Sequence, residues 1–454
     1  MDLLKDRIKP IYFRYLLAAF GSAFISSVYS VVDAAMVGRY QGPDGTAALA
    51  VVAPFWNIIY SLGLMAGIGG SVLYGAMKGK GEKADRDPNE SFTSAILLTV
   101  LLGIVAWLLL IFLDEPLLRF FGADDTLLPL AKSYLLPVKF VAPVFLFTQS
   151  LAAFLRNDND PALATRAVIY GGVFNVFGDY LFVFVLNLGI LGAGIATCIG
   201  AFISVIAMLT HFFRKKSTLK LQKTKYVFHD FLSIFKNGFS SFFVDFAMGI
   251  LTILFNRQII TYLDNDALSV YGIIINISTF VQCCAYSIGQ AVQPIVSVNY
   301  GAENKKRISE TLRYAVVTAV VFGVIWLVLA ESIPNGFVHI FMSPNDRILS
   351  IAPSIIRFYS ISFLLLPFNV FSTYYFQAIM KPKTAFLISV LRGALLSGVL
   401  IYVLPLILPV EILWFAMPIT EVLTAIAVLL FMISSQKKLF LKKEVPSLKE
   451  PETK

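Results

Sequence analysis

Two aspartates, Asp33 and Asp179, interrupt stretches that are otherwise apolar. Each stretch is near the roughly 20 residues that cross a bilayer. A carboxylate in that setting costs about 2.5–3.5 kcal/mol on insertion scales, and its short stem keeps it from reaching water. Asn175 precedes Asp179 by four residues, so the two share one face of a helix. Asp33 falls 18 residues into the first apolar stretch, which is about 27 Å of helical rise. Thr197, seven residues into the sixth stretch, reaches a comparable depth if that stretch runs back the other way. Where stretches one, five and six adjoin, two carboxylates, an amide and a hydroxyl converge. Two such acids cannot both stay ionised in a low dielectric without a counter-charge. A shared proton or a bound cation resolves this, and the all-oxygen set suits a hard ion, sodium first among the metals. The plainer alternative makes both acids structural, bonded to backbone at helix irregularities. The ion-site reading is preferred because unpaired acids in membranes are rare.

Five further charged residues lie in apolar stretches: Lys139, Asp245, Arg257, Arg392 and Glu421. Lys139 and Arg257 sit near stretch ends, where long stems bring the charge to the interface. Arg392 lies deeper and either braces a neighbouring helix or touches an anionic group. Asp245 and Glu421 either bind a cationic substrate or a second proton, or serve structure alone.

The elements that must position these groups follow from composition. Of 454 residues, 57% are hydrophobic and 14% charged. Soluble domains carry about 25% charged residues, so an ordinary cytosolic enzyme is excluded, and 14% aromatic content excludes disorder. Twelve apolar segments are predicted, near 15–37, 47–76, 92–113, 134–155, 167–186, 190–212, 239–263, 267–299, 314–331, 358–379, 385–408 and 412–433. The fold class is therefore an all-α polytopic membrane protein with no soluble catalytic domain. If loops alternate, one side holds 29 of the 37 Lys and Arg and the other only Arg39, Arg119, Lys132, Arg347 and Arg357. That asymmetry places both termini in the cytoplasm and the chain in a bacterial inner membrane. It also explains the net charge of +9 at lower cost than nucleic-acid binding, which is not expected. The three cysteines, Cys198, Cys283 and Cys284, form no disulfide or metal pattern.

The chain also repeats. "NYGAENKKRISE" at 299–310 resembles "MKGKGEKADRD" at 77–87, with Asn57 and Asn276 upstream of these loops. "AFLRNDNDPALA" at 153–164 matches "YYFQAIMKPKTA" at 374–385, with Pro161 and Pro382 in register. The expected organisation is a lobe of six helices at 1–212, a basic linker at 213–238, a second lobe at 239–435 and a tail at 436–454. An even number of spans per half gives both halves the same membrane orientation, the parallel arrangement in which transporters bind substrate between repeats.

Several stretches resemble the multidrug and toxic compound extrusion (MATE) family, in its MepA- and DinF-like bacterial branch. They are "VVDAAMVGRY", "FLRNDNDPALATRAVIYGGVFNVFGDYLF", "LGILGAGIATCIG", "GQAVQPIVSVNYGAENKKR" and "YYFQAIMKPK". The resemblance covers nearly the whole chain. It implies two pseudo-symmetric six-helix bundles around a central cavity, exporting drugs against sodium or proton entry. It also implies a cation site at Asp33, Asn175, Asp179 and Thr197, the group already reached from charge and depth. Some members use an acid in helix seven, where Asp245 stands and Glu is commoner. The loop "GAMKGKGEK" departs from the usual Gly-Ala-Gly pattern, away from the site.

Rival functions fare less well. "GAMKGKGEK" lacks Walker spacing, and His211, His229 and His339 form no HExxH motif. An intramembrane aspartyl protease would use Asp33 and Asp179, but Asp179 reads "FGDYLF" rather than GxGD. A lipid or lipid-linked oligosaccharide flippase is a closer rival, yet such proteins need a basic cavity. An acidic, aromatic-rich cavity suits a lipophilic cation. Asp245, Glu421, Arg392, Asn57 and Asn276 are therefore candidates for a substrate or second proton site. No cofactor is expected beyond the transported ion. The expected partners are cationic small molecules and membrane lipid, and the expected state is a monomer.

Overall fold

A computed structural model of the protein describes residues 2–342 and 344–441. The structure is helical from end to end: α1 (Ile8–Lys80), α2 (Pro88–Phe112), α3 (Asp114–Phe120), α4 (Leu127–Asn157), α5 (Pro161–Asp179), α6 (Gly189–Leu209), α7 (Val227–Tyr262), α8 (Asn265–Gly301), α9 (Lys305–Ser332), α10 (Pro334–Phe341), α11 (Asp346–Ser360), α12 (Leu366–Ala378), α13 (Pro382–Val390), α14 (Leu396–Ile407) and α15 (Ala416–Leu441). Among the described residues, eleven helical segments are long and apolar enough to cross a membrane. The first, α1, has 73 residues and would run about 110 Å if straight. It cannot be one span. It breaks at Gly42, whose φ of 69° is a left-handed conformation that glycine adopts freely, and Pro43 follows. Two antiparallel arms, 8–41 and 43–80, result, giving the twelve crossings. The loop expected at 38–46 is thus a kink of one residue.

Other boundaries moved in a consistent direction. Charged residues read as loop form the ends of long helices, as at Val227–Tyr262, Asn265–Gly301 and Asp346–Ala378. Residues 227–238 of the expected linker are the first turns of α7. The tail beyond residue 441 lies outside the described residues. Leu17, Phe112, Phe140 and Leu430, among many large apolar side chains, are exposed on the outside of the bundle, as lipid contact requires and water would not favour.

The two bundles cross-brace at the end that carries the basic loops. The first turns of α1 pack against α8 and α9, with Tyr12 stacked on Tyr314 at 5.9 Å. The first turns of α7 pack on the opposite bundle, where buried Asp230 accepts from Ser94 Oγ (2.9 Å) and Arg86 Nη1 (3.0 Å). At this end every residue from Gly63 to Ala76 is buried, as are Val281–Ala285 and Ser287–Asn299 of α8. The helices touch backbone to backbone here. A side chain at Gly79 would meet the carbonyl of Val298, and one at Gly301 that of Ala76. Toward the opposite end the bundles part, and Asn57, Gly249, Asn276 and Thr279 border open space.

The chain between bundles is pinned to the first of them. Asp158 accepts from Lys78 Nζ (2.7 Å), the Thr218 amide (2.8 Å) and the Thr218 hydroxyl, and lies 2.8 Å from His211 Nε2. Asp160 accepts from Arg214 Nη1 at 2.7 Å. Burial pushes the Asp158 carboxyl up, but the bonds from His211 and Lys78 outweigh it and hold the group well below the usual carboxylate range. Asp160 is also lowered, its burial outweighed by His211, the Arg214 charge and the Leu163 amide. A depressed folded-state value means that this stabilisation is complete above the ordinary carboxylate pKa and fades as pH falls through and below it. Thermal melts in detergent should therefore drop more steeply in acid for the wild type than for Asp158→Asn. At neutral pH the variant should lose about 1.5–3 kcal/mol, the worth of hydrogen bonds to a charged group. Equal acid sensitivity of the two proteins would dismiss the hub.

Candidate functional site

Helices α5 and α6 meet without intervening side chains. A Cβ on Gly200 would lie 2.7 Å from the Gly171 carbonyl oxygen, and one on Gly171 would clash with Gly200 in turn. One turn further along, this contact sets Asn175 beside Thr197, and Asn175 Nδ2 donates to Thr197 Oγ1 at 3.1 Å. A second turn places Asp179 at the last regular residue of α5. The helix then widens: the Leu186 amide bonds back to the Leu181 carbonyl at 2.8 Å, five residues earlier. Such π-turns recur at functional sites. The first arm of α1 supplies Asp33 from the other side. The charge acting on Asp179 is that of Asp33, and Tyr134 of α4 lies within the influence of both.

The hydrogen-bond inventory of this cluster is unbalanced. Tyr134 donates its hydroxyl to Asp33 Oδ2 at 3.2 Å, and Thr197 donates to the Ala193 carbonyl at 3.0 Å. With Asn175 Nδ2 also engaged, four buried oxygens have no donor: Asp33 Oδ1, Asn175 Oδ1 and both carboxylate oxygens of Asp179. Asp179 is 0% exposed and Asp33 9%. Buried acceptors without donors are costly and therefore rare. An added proton or a cation bound to oxygen supplies what this group lacks. Among the described residues no three His, Cys, Asp or Glu gather to hold a metal.

The remaining candidates fall in separate places. Arg392 and Glu421 are partners: Arg392 Nε donates to Glu421 Oε1 at 2.7 Å inside the second bundle, and Asn369 Nδ2 donates to Oε2 at 2.6 Å. Glu421 is thus no lone carboxylate facing the cavity. Arg392 itself sits on a second π-turn, Leu391–Leu395. Asp245 of α7 accepts from Tyr286 at 2.5 Å, and its Oδ2 is enclosed without a partner. Asn57 and Asn276 are exposed on the arms bordering the space between bundles. Of the charges near span ends, Lys139 pairs with Asp114 at 2.5 Å and Arg257 is exposed. Sequence reasoning missed Tyr134 and Asn369. With 19 tyrosines in the chain, nothing in the local pattern singles out the one whose hydroxyl meets an acid.

Comparison with known proteins agrees with this architecture. The MatE family profile matches residues 18–181 and 240–403, one match in each bundle. Multidrug export protein MepA of Staphylococcus saprophyticus subsp. saprophyticus is 23% identical over 410 residues, 90% of either chain. MepA of Staphylococcus aureus (strain MSSA476) is 23% identical over 89% of either chain. Among solved structures, the outward-facing conformation of a multidrug resistance MATE family transporter of the MOP superfamily superimposes with TM-score 0.88 at 19% identity, covering 96% of this chain and 98% of that one. A MOP superfamily transporter from Pyrococcus furiosus gives the same values. At that identity the likeness shows the fold alone.

Proposed function

Because the chain belongs to the MatE (MATE) family, whose members are multi-pass membrane transporters and not enzymes, we propose that it is a secondary active multidrug exporter driven by sodium or proton entry. The observation that carries this reading is the set of four buried oxygens without donors at Asp33, Asn175 and Asp179. An acceptor-only group in a membrane bundle is stabilised by binding a cation and destabilised by losing it. Ion occupancy thus supplies a free energy that a conformational equilibrium can use. The printed function of the MepA relatives supports export of several drugs, and the clustering of basic loops supports a cytoplasmic address for both termini.

The mechanism follows from which surfaces are closed. With lobes at 1–212 and 239–435 and the basic end read as cytoplasmic, contact at that end and separation at the other fit a state open away from the cytoplasm. The coupling ion enters from that side and reaches Asp179 and Asp33 between α1, α5 and α6. Its binding favours this state and drug release. Reversal requires the ion to leave toward the cytoplasm as the cavity opens there and takes up the next substrate. Drug and ion must prefer different states for the exchange to be coupled. Asp245, with Oδ2 enclosed and unpartnered and Tyr286 donating to Oδ1, is the candidate for a cationic substrate or a second proton.

Reconstitution in proteoliposomes tests the reading. Uptake of cationic dyes should follow an imposed sodium or proton gradient and stop when it is collapsed. Dye movement with neither gradient would reject antiport in favour of a flippase or facilitator.

A further inference from the structure

The chain that joins the bundles is a fixed strap, not a slack tether. Thr218 donates its amide to Asp158 (2.8 Å), Lys220 to Asn89 Oδ1 (2.9 Å) and Gln222 to Thr93 Oγ1 (2.8 Å). The Thr224 hydroxyl donates to Glu90 Oε2 at 3.0 Å. Every second residue is therefore bonded to the first bundle. Leu219 is buried in one cluster with Leu73 and Phe92.

Three of those four contacts fall on the first turns of α2, and they show where the strap lies. Asn89 and Thr93 are followed on the same helical face by Leu97, Val100, Leu101 and Ile104. These four are 37–48% exposed, which in a membrane-spanning helix means contact with lipid chains. Leu97 lies only about 6 Å of helical rise beyond Thr93. The strap thus crosses the lipid-facing perimeter of the bundle where hydrocarbon gives way to headgroups.

Its composition matches that layer. From Phe213 to Phe228 the chain carries five lysines, one arginine and no acid. Arg214 is spent on Asp160. Lys215, Lys216, Lys220, Lys223 and Lys225 are exposed, and among the described residues their ammonium groups have neither an ion pair nor a hydrogen bond. The nearby acids are already engaged: Asp158 by Lys78, Asp160 by Arg214, Asp230 by Arg86 and Glu90 by Thr224. Among the lysines stand Phe213, Leu221 and Phe228, at 90%, 70% and 87% exposure. Phe213 ends the span that begins at Gly189, and Phe228 is the second residue of the next. Basic and large apolar side chains on one outward surface suit an interface that offers phosphates and hydrocarbon together.

We propose that the strap, residues 213–228, is a binding surface for anionic phospholipid headgroups, with the lysines on the phosphates and Phe213, Leu221 and Phe228 among the upper acyl carbons. This does not depend on the export reading, because it concerns the outer perimeter of the bundle and neither the ion site nor the space between lobes.

The native cysteines are all buried, so Leu221→Cys in the full chain takes a bimane label at that one exposed place. In phosphatidylcholine nanodiscs, quenching is read as phosphatidylglycerol or phosphatidylcholine with a nitroxide near the top of one acyl chain is added. The anionic lipid should reach half-quenching at about tenfold lower mole fraction, between one and two lysine contacts at roughly fivefold each. High salt should erase that preference. Replacing the five lysines by glutamine should erase it as well, at an unchanged melting temperature. Phe213→Ser with Phe228→Ser should weaken quenching by both lipids and keep their ratio. Equal quenching by the two lipids in the wild type overturns the proposal. A preference that survives the five substitutions overturns it too, because the attracting charge then lies elsewhere. A label that neither lipid quenches, and whose emission shifts instead with polyglutamate or a single-stranded oligonucleotide, would mean that the strap faces water and a soluble acidic partner.

Discussion

Asp179→Asn is expected to abolish gradient-driven export while folding and melting at least as well as the wild type. The two expectations arise from one feature, and together they separate an ion site from a structural acid. Both oxygens of Asp179 are buried with no donor, in the field of a second carboxylate, Asp33. Replacing the acid by its amide removes a charge that the fold does not pair, so stability should hold or rise. If Asp179 were structural, bonded to backbone or to a partner, the same change would break those bonds and lower stability by about 1–3 kcal/mol. Export should respond in the opposite way. An amide neither takes up a proton nor contributes a negative charge to a cation, so ion occupancy no longer differs between states. Initial rates in proteoliposomes should fall at least about tenfold under either gradient, because the ion's differential affinity is the whole of the driving force. Asp33→Asn should behave likewise, with a smaller gain in stability because Tyr134 already donates to one of its oxygens. Full export by either variant would refute the ion-site assignment.

This cluster was legible in the sequence because its members are unusual where they stand. A short-stemmed acid in an apolar span has few innocent explanations, and the spacing of Asn175 and Asp179 fixes their shared face on any helix. The depth argument also worked, since α1, α5 and α6 do adjoin and bring Asp33 and Thr197 level with that pair. Tyr134 was not legible, because a tyrosine in a span is ordinary and only the crossing of α4 over α1 gives it a purpose. The fold shows the same division. Hydropathy marks the apolar middle of each helix but not the polar turns that continue it, so α7 starts at Val227 inside what reads as linker. Gly42 and Pro43 look like the centre of a loop, yet one residue with positive φ suffices to reverse the chain. The hub around Asp158 escaped for a different reason. Lys78, Asp158, His211 and Thr218 come from four separate segments, and each taken singly reads as part of a solvated basic loop. Arg156 was counted among the positive loop charges for the same reason, although it is buried.

Breaking the buried pair of Arg392 and Glu421 should have the largest effect on stability of any single change in the second bundle. Both residues are almost fully withdrawn from solvent, at 4% and 0% exposure, and Asn369 completes the carboxylate's shell. Glu421→Leu leaves the guanidinium without its counter-charge, and Arg392→Met leaves the carboxylate bonded only to an amide. Each should cost about 3–5 kcal/mol, the usual penalty for stranding one buried charge. The double variant Arg392→Met with Glu421→Leu should recover most of that loss, since apolar groups of similar size replace a desolvated pair at little net cost. Chemical-denaturation or thermal-melt series on the four proteins read this directly, and the coupling between the two changes is the measured quantity. Strict additivity would mean that the pair contributes nothing as a pair. Transport distinguishes a further possibility raised by the π-turn beneath Arg392. If the pair only holds α14 and α15 to α12, the double variant should export normally once its stability is restored. If instead the pair opens and closes with the lobes, the double variant should be stable and slow, because an apolar contact cannot exchange partners during the cycle as an ion pair can. The first outcome is expected, since in this structure Glu421 has donors on both oxygens.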